Sequence, residues 1–158
     1  MAQLLRLIAL SLFIALAGCA GRTSAPTITS APTINPQMLG AACPRPALEN
    51  WLQRSSNLTQ ELSELINNNI AIQPERASDV IDRLGSIQAA LEVARPPRCA
   101  APHADALNQA LSLADAYFSA YWRGVATDPI GSLTRINSAL DQARALEHEL
   151  MRLYNTLP

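Results

Sequence analysis

Four stretches of the chain place apolar residues at alternating intervals of three and four, which is the period of an α-helix with one buried face. They run from Leu48 to Asn69, from Pro74 to Ala94, from about Pro102 to Gly124, and from Pro129 to the end of the sequence. The connections between them are short, and short connections make neighbouring helices antiparallel. The pattern predicts an all-α fold, an antiparallel up-down four-helix bundle over residues 47–158. A three-helix bundle with one peripheral helix is the alternative.

Proline and glycine mark the predicted helix ends. Pro129 suits the first position of the fourth helix, and Asp128 before it suits the N-cap. Pro96 and Pro97 cannot continue the second helix. Gly85 lies inside that helix, where glycine costs about 1 kcal/mol relative to alanine. We expect close helix packing at Gly85 to offset this cost.

The N-terminal segment has the pattern of a signal peptide. Arg6 precedes an apolar run from Leu7 to Ala17, and this run is too short to span about 30 Å of hydrocarbon. The sequence Leu16-Ala17-Gly18-Cys19 that ends the run resembles the lipobox of bacterial lipoproteins. The resemblance implies cleavage between Gly18 and Cys19, which removes residues 1–18, and lipidation of Cys19. An ordinary secretory signal and a buried N-terminal helix are the alternatives.

The same resemblance implies a location at the cell envelope. Cys19 would carry a diacylglycerol and a further fatty acyl chain such as palmitate, and several chains anchor a protein firmly at about 0.8 kcal/mol per buried methylene. In enterobacterial lipoproteins an Asp after the cysteine retains the protein at the inner membrane, whereas this chain has Ala20. An outer membrane is therefore the favoured location where the cell has one.

Residues 19–46 have the composition of a disordered tether. The hexapeptide Thr-Ser-Ala-Pro-Thr-Ile at 23–28 is repeated at 29–34. One proline per copy excludes a helix, and the segment has too few large apolar groups to fold alone. A tether of this kind lets the bundle stand clear of the lipid headgroups, although a recognition segment or a glycosylated stalk is an alternative.

Once Cys19 is assigned to the lipid, two of the three cysteines remain, Cys43 and Cys99. An even number of cysteines in an oxidising compartment favours a disulfide. In the predicted topology, Cys43 and Cys99 precede two helices that start at the same end of the bundle. Metal ligation and two buried thiols are the alternatives.

The sequence contains no pattern that indicates catalysis. We find no nucleophile with a base, no glycine-rich phosphate loop and no haem motif, and we expect a non-enzymatic protein without a cofactor. The formal net charge of −1 and the lack of a basic patch argue against nucleic-acid binding. His103 and His148, the only histidines, could bind zinc if the bundle brings them together. Both lie at the edge of an apolar stripe, so we interpret them as solvated surface residues and predict no metal site.

Aromatic residues concentrate in the second half of the third predicted helix. Phe118 and Trp122 lie on its apolar stripe and are predicted to be in the core. Tyr117 and Tyr121 lie toward the edge of the stripe, and Ala106 and Leu113 lie on the outer side of the helix, which is apolar on nearly all sides. Such a helix favours a second contact, and Leu113, Tyr117 and Tyr121 are the predicted interaction surface. Together these patterns predict an envelope lipoprotein whose bundle binds another protein or has a structural role, with a small-ligand or metal-binding bundle as the alternative.

Overall fold

The computed structural model describes residues 43–71 and 73–157. The described part contains four α-helices, α1 Arg45–Asn68, α2 Ala77–Ala94, α3 Ala101–Trp122 and α4 Pro129–Thr156, and two short 3₁₀ turns, Pro74–Arg76 and Arg98–Ala100. The predicted signal peptide, the lipidation site Cys19 and residues 19–42 of the predicted tether lie outside the described residues. Helix α1 begins at Arg45, slightly before the start of the bundle expected at position 47.

The four helices form an antiparallel bundle in which each packs against the next and α4 packs against α1. Three long-range contacts fix the directions. Arg83 of α2 pairs with Glu61 of α1 at 2.6 Å. Between α1 and α4, Arg45 donates to the Leu157 carbonyl at 3.0 Å, and Arg144 donates to Ser63 at 2.6 Å. The start of α1 therefore lies beside the end of α4. The predicted all-α bundle is confirmed, and no described helix is peripheral.

Helix ends follow the sequence signals. Helix α2 ends at Ala94, and Arg95 adopts a positive φ of 45° directly before Pro96. Helix α3 ends at Trp122, and Gly124 with a φ of 70° turns the chain toward α4. The N-cap predicted for Asp128 is confirmed, since its carboxylate accepts a hydrogen bond from the Gly131 amide at 2.9 Å. Short connections of this kind keep consecutive helices adjacent.

The core is a single cluster of apolar side chains from all four helices. Its largest fully buried members are Trp51, Phe118, Leu48, Leu62, Ile66, Leu84, Leu107, Ile136, Leu140 and Leu150. Burial of these residues removes from water the apolar stripes that the periodicity identified, which is the main source of stability for such a bundle.

Three packing expectations are wrong. Trp122, expected in the core, is 55% exposed because α3 ends there, beyond the turns that neighbouring helices cover. Ala106, expected on the outer side of its helix, is 3% exposed, since α3 packs against both α2 and α4. Gly85 is exposed, and a methyl group at its Cβ position would meet no neighbouring element within 4 Å. Close packing therefore does not explain this glycine.

A disulfide joins Cys43, just before α1, to Cys99, in the turn before α3. The two Cα atoms are 5.5 Å apart, within the usual range for a disulfide. Both cysteines belong to the buried core. The crosslink ties the starts of two helices together at one end of the bundle, which we call the entry end because the chain enters the bundle there. The opposite end, formed by the α1–α2 and α3–α4 connections, is the distal end.

Among the helices of the described residues, none combines the length and the apolar character needed to cross a membrane.

Loss of the disulfide should destabilise the bundle. The two cysteines are 56 positions apart in sequence. Closing a loop of this size lowers the entropy of the unfolded chain, which raises its free energy by about 4 kcal/mol. We expect dithiothreitol, or the double substitution Cys43→Ala with Cys99→Ala, to lower the free energy of unfolding by about that amount in urea titrations. Identical unfolding of the oxidised and reduced protein would contradict the crosslink, as would two reactive thiols from these positions in the denatured, non-reduced protein.

Candidate functional site

A groove lies at the distal end between the second half of α3 and the beginning of α4. Its volume is about 220 Å³. The α3 side consists of Leu113, Ala116, Tyr117 and Ala120, and the opposite side consists of Val125, Ala126, Thr127, Asp128, Ser132 and Arg135. One wall is therefore mostly apolar, and the other carries hydroxyl groups and one charge of each sign.

Tyr117 lies on the apolar side of the groove and is 6% exposed. Its ring packs edge-on against Phe118, with the ring centroids 5.0 Å apart, and lies 6.1 Å from the ring of Tyr121. Burial, with a smaller contribution from Tyr121, raises the pKa of the Tyr117 phenol. The hydroxyl therefore stays protonated at neutral pH and can donate a hydrogen bond.

The polar side of the groove is organised by the N-cap of α4. Asp128 accepts from the Gly131 amide, and this leaves no room for a Cβ at Gly131, where it would overlap the Asp128 carboxylate. Arg135 donates to the Ser132 hydroxyl at 3.1 Å, and another of its nitrogens lies 3.9 Å from Asp128. Both charged side chains are 60% exposed, so this long ion pair contributes little to stability. Arg135 is thus held beside the groove with most of its N–H groups toward solvent.

Four of the six large apolar side chains that are exposed in the described part lie at the distal end, and the other two lie toward the entry end. Trp122, Val125 and Ile130, in and around the α3–α4 connection, are 55%, 60% and 81% exposed, and Ile70 in the other distal connection is 50% exposed. Single exposed apolar residues are normal on a protein surface. At the distal end, however, four of them occur together, and one of these, Val125, lines the groove.

A second hollow at the distal end follows the α1–α2 connection, with a volume of about 470 Å³. It is lined mainly by amide and cationic side chains, namely Asn67, Asn68, Asn69, Gln73 and Arg76, with Ile70 and Ala71. At the end of α1, the side-chain amide of Asn69 donates a hydrogen bond to the Leu65 carbonyl at 2.7 Å. Asn69 therefore has a local structural role.

The three residues of the predicted interaction surface lie together near the groove, although not equally exposed. Leu113 and Tyr117 line it, and Tyr121 packs against the Tyr117 ring. Leu113 and Tyr121 are half-buried, whereas Tyr117 is buried. Tyr117 therefore lines the groove with only a small exposed part of its side chain. The α4 residues of the site were missed because their pairing with the outer side of α3 has no signal in local sequence.

The prediction that His103 lies on the surface is wrong, because its side chain is buried in the core. Its exposure is 0%, and its Nδ1 accepts a hydrogen bond from the Trp51 indole nitrogen at 3.1 Å. The two rings meet edge-on with centroids 5.7 Å apart. A fully buried indole N–H requires an acceptor, and the His103 ring of α3 provides that acceptor across the core. His148, by contrast, is exposed as expected.

The hydrogen bond determines the protonation state of His103. Since Nδ1 accepts, the proton of the neutral ring lies on Nε2, which is buried and has no partner among the described residues. Burial lowers the pKa of His103 to about 4, so the ring is neutral at pH 7. In this state neither nitrogen offers a lone pair to a metal. Within residues 43–71 and 73–157, no three His, Cys, Asp or Glu side chains are grouped as metal ligands.

Comparison of the chain with protein-family models, with curated proteins and with solved structures finds no match.

Burial of neutral His103 makes stability depend on pH. The pKa is about 4 in the folded protein and 6.5 for the ordinary group, so the unfolded chain binds more protons between these values. The stabilisation is complete above pH 6.5 and is lost as the pH falls to 4, by about 3 kcal/mol in total. We expect urea titrations across this range to show the loss. His103→Gln keeps a side-chain acceptor and should remove most of the slope.

The matched control for this experiment is His148→Gln, because His148 is exposed. That variant should retain the pH dependence of the parent protein. Equal slopes for the two variants would contradict the assignment to His103.

Two glycines should respond oppositely to alanine. Gly131→Ala places a methyl group against the Asp128 carboxylate and should disrupt the cap, at a cost of about 1 kcal/mol. Gly85→Ala meets no neighbouring element and should stabilise α2 by about 1 kcal/mol. Urea unfolding of both variants measures the difference. A shift in the same direction would refute the packing described at one of the two positions.

Proposed function

We propose that the chain is a lipid-anchored lipoprotein of the cell envelope and that its non-enzymatic bundle binds another protein through the distal end. The lipobox-like sequence at 16–19 supports the anchor on Cys19, and Ala20 favours the outer membrane where one exists. The groove and the apolar residues around it support the binding role.

The uneven distribution of exposed apolar side chains is the observation that carries the binding role. Val125 lines the groove, Trp122 and Ile130 each lie two positions in sequence from residues that line it, and Ile70 is exposed at the same end. Each would gain about 25 cal/mol for every Å² of apolar surface that a partner removes from water. A bundle with only a structural role would gain nothing from exposing this group of residues.

The groove lies at the end of the bundle opposite to the Cys43–Cys99 disulfide. The chain enters the bundle at Cys43, at the other end of α1. Helix α1 has 24 residues, which corresponds to about 36 Å at 1.5 Å per residue. The binding surface proposed here is therefore about one helix length from the disulfide.

A binding role agrees with the chemistry of the groove. Its polar groups are hydroxyls, one carboxylate and one guanidinium, and the carboxylate caps a helix. The groove is suited to recognition by shape and hydrogen bonds.

Site-specific photo-crosslinking in cells tests this function. A photoreactive residue at Leu113 or at Ile130 should give a discrete adduct with one protein, identified by mass spectrometry. Val93 is the matched control because it is apolar and 71% exposed but lies near the other end of the bundle. Equal adducts from Val93, or none from the two distal positions, would contradict the binding role.

Membrane fractionation of the same cells tests the anchor. The parent chain should take up an alkyne-labelled fatty acid and sediment with membranes, and Cys19→Ala should abolish both. Ser24→Ala is the control and should change neither. Lipid labelling that persists in Cys19→Ala would refute the lipidation site.

A further inference from the structure

We propose that the buried pair of Trp51 and His103 is an acid-sensitive switch at the entry end of the bundle. When His103 takes up a proton, its bond to the Trp51 indole breaks, and the first turn of α3 and the facing turn of α1 open to water. The Cys43–Cys99 bond holds the two segments together in the open form. This inference depends neither on the lipid anchor nor on the groove at the distal end.

The contact between Trp51 and His103 requires one protonation state of the histidine. The indole nitrogen of Trp51 can only donate, and it lies 3.1 Å from Nδ1 of His103. The contact therefore needs the lone pair on Nδ1. Protonation removes this lone pair and places one N–H group against another, so that an attractive contact becomes a repulsive one. The two rings must separate once His103 is charged.

The core has no group that compensates a charge on His103. The side chain is fully buried, and burial alone lowers its pKa, with no contribution from a charged neighbour. The other buried polar side chains of the described residues are Ser55, Thr59 and Glu147. Both hydroxyls donate to carbonyls of their own helix. A buried positive charge without a partner is costly, so water must reach the protonated ring.

Glu147 is the only buried carboxylate of the described part, and it lies at another level of the bundle. Arg144 of α4 donates to Ser63 of α1, and Glu147 is about one turn further along α4 toward the entry end. From that level to Trp51 there remain about two turns of α1, or about 11 Å along the axis. This separation agrees with the lack of an effect of Glu147 on the pKa of His103.

The other titratable side chains near the level of the pair lie at the surface. Glu149 and Tyr154 are half-buried, and the remainder are exposed. Arg45 covers the Tyr154 ring, and Arg152 pairs with Glu149. None of these groups neutralises a charged imidazole inside the core. In chain order they are Arg45, Glu49, Arg54, Glu92, Arg95, Arg98, Asp105, Glu149, Arg152 and Tyr154.

The second ring nitrogen of His103 also favours opening. In the neutral ring Nε2 carries the proton, yet it is buried and bonds to no described residue. A buried donor without an acceptor raises the free energy of the closed form. Water that enters between the first turns of α1 and α3 can accept from Nε2 and from the Trp51 indole, and it can solvate the charge.

The disulfide confines the opening to the entry end. Cys43 and Cys99 lie directly ahead of the two helices, with their Cα atoms 5.5 Å apart. While this bond is intact, the starts of α1 and α3 stay close together even when the rings separate. Opening of a few turns costs less free energy than unfolding of the bundle. The closed form is expected to return when the pH rises.

Hydrogen exchange followed by NMR, on the full chain in a nonionic detergent, tests the switch. The pKa of His103 is 6.5 for the ordinary group and about 4 in the closed form, so the ratio of open to closed molecules should rise about a hundredfold from pH 6.5 to pH 4. The Trp51 indole N–H should show this rise after correction for its intrinsic exchange rate. Its exchange should not respond to dilute urea, because a local opening exposes little surface.

The Phe118 amide is the internal reference because Phe118 is fully buried in the distal half of α3. It should exchange more slowly than the Trp51 indole and should accelerate in dilute urea, since only unfolding of the bundle exposes it. In the double variant Cys43→Ala with Cys99→Ala, Trp51 should become as sensitive to urea as Phe118.

His103→Gln should remove the pH dependence of Trp51 exchange, because glutamine does not titrate. His148→Gln is the matched control and should retain it, since His148 is exposed. The parent protein offers a test that needs no variant. Long-range proton–nitrogen NMR spectra at pH 7 should show the His103 proton on Nε2.

Four results would overturn the switch. The first is equal urea dependence of Trp51 and Phe118 in the oxidised parent protein, which would mean that Trp51 exchanges only by unfolding of the bundle. The second is a hundredfold rise that persists in His103→Gln. The third is a proton on Nδ1 at pH 7, which would exclude His103 as the acceptor. The fourth is exchange of Trp51 that stays independent of urea without the disulfide, which would exclude the crosslink as the element that confines the opening.

Discussion

The link between α1 and α3 across the entry end of the core is the constraint that orders the rest of the bundle. These two helices are diagonal neighbours, and their main contacts otherwise go to α2 and α4. The Cys43–Cys99 bond joins the segments before them, and the hydrogen bond from Trp51 to His103 joins the second turn of α1 to the first turn of α3 inside the core. Together a covalent bond and a directional buried bond fix how α1 and α3 are aligned. Apolar packing alone would allow several alignments, since it is non-directional.

The entry end is also closed on its outer side. Arg45 places its guanidinium over the Tyr154 ring, 4.8 Å from the centroid, and donates to the Leu157 carbonyl at 3.0 Å. The start of α1 is thereby tied to the end of α4 as well as to α3. At the distal end, hydrogen bonds close each connection locally, and large apolar side chains remain in water. The entry end is thus held together by directional interactions between helices, whereas the connections at the distal end expose Trp122, Val125, Ile130 and Ile70.

Much of the fold could be predicted from the sequence because it depends on local signals. Helical periodicity, prolines and the Asp128 cap are properties of neighbouring residues, and they placed the four helices and their antiparallel order correctly. The cysteine pairing followed from counting and from that order. The errors arose where a side chain is governed by another helix. His103 looked like a surface residue because nothing in its own helix shows that Trp51 requires an acceptor there. Trp122 looked like a core residue because the stripe on α3 continues beyond the turns that other helices cover.

The groove was only half visible in the sequence for the same reason. Leu113, Tyr117 and Tyr121 stood out because α3 is apolar beyond one face, but Arg135 and Ser132 looked like ordinary polar positions on α4. Arg135 and Ser132 line the groove because the connection after Gly124 brings the first turns of α4 beside the outer side of α3. The same connection carries Val125 and the Asp128 cap, so the elements that stabilise the start of α4 also shape the site. Substitutions at the entry end should therefore change the stability of the bundle with little effect on the groove, whereas changes in this one connection should affect both.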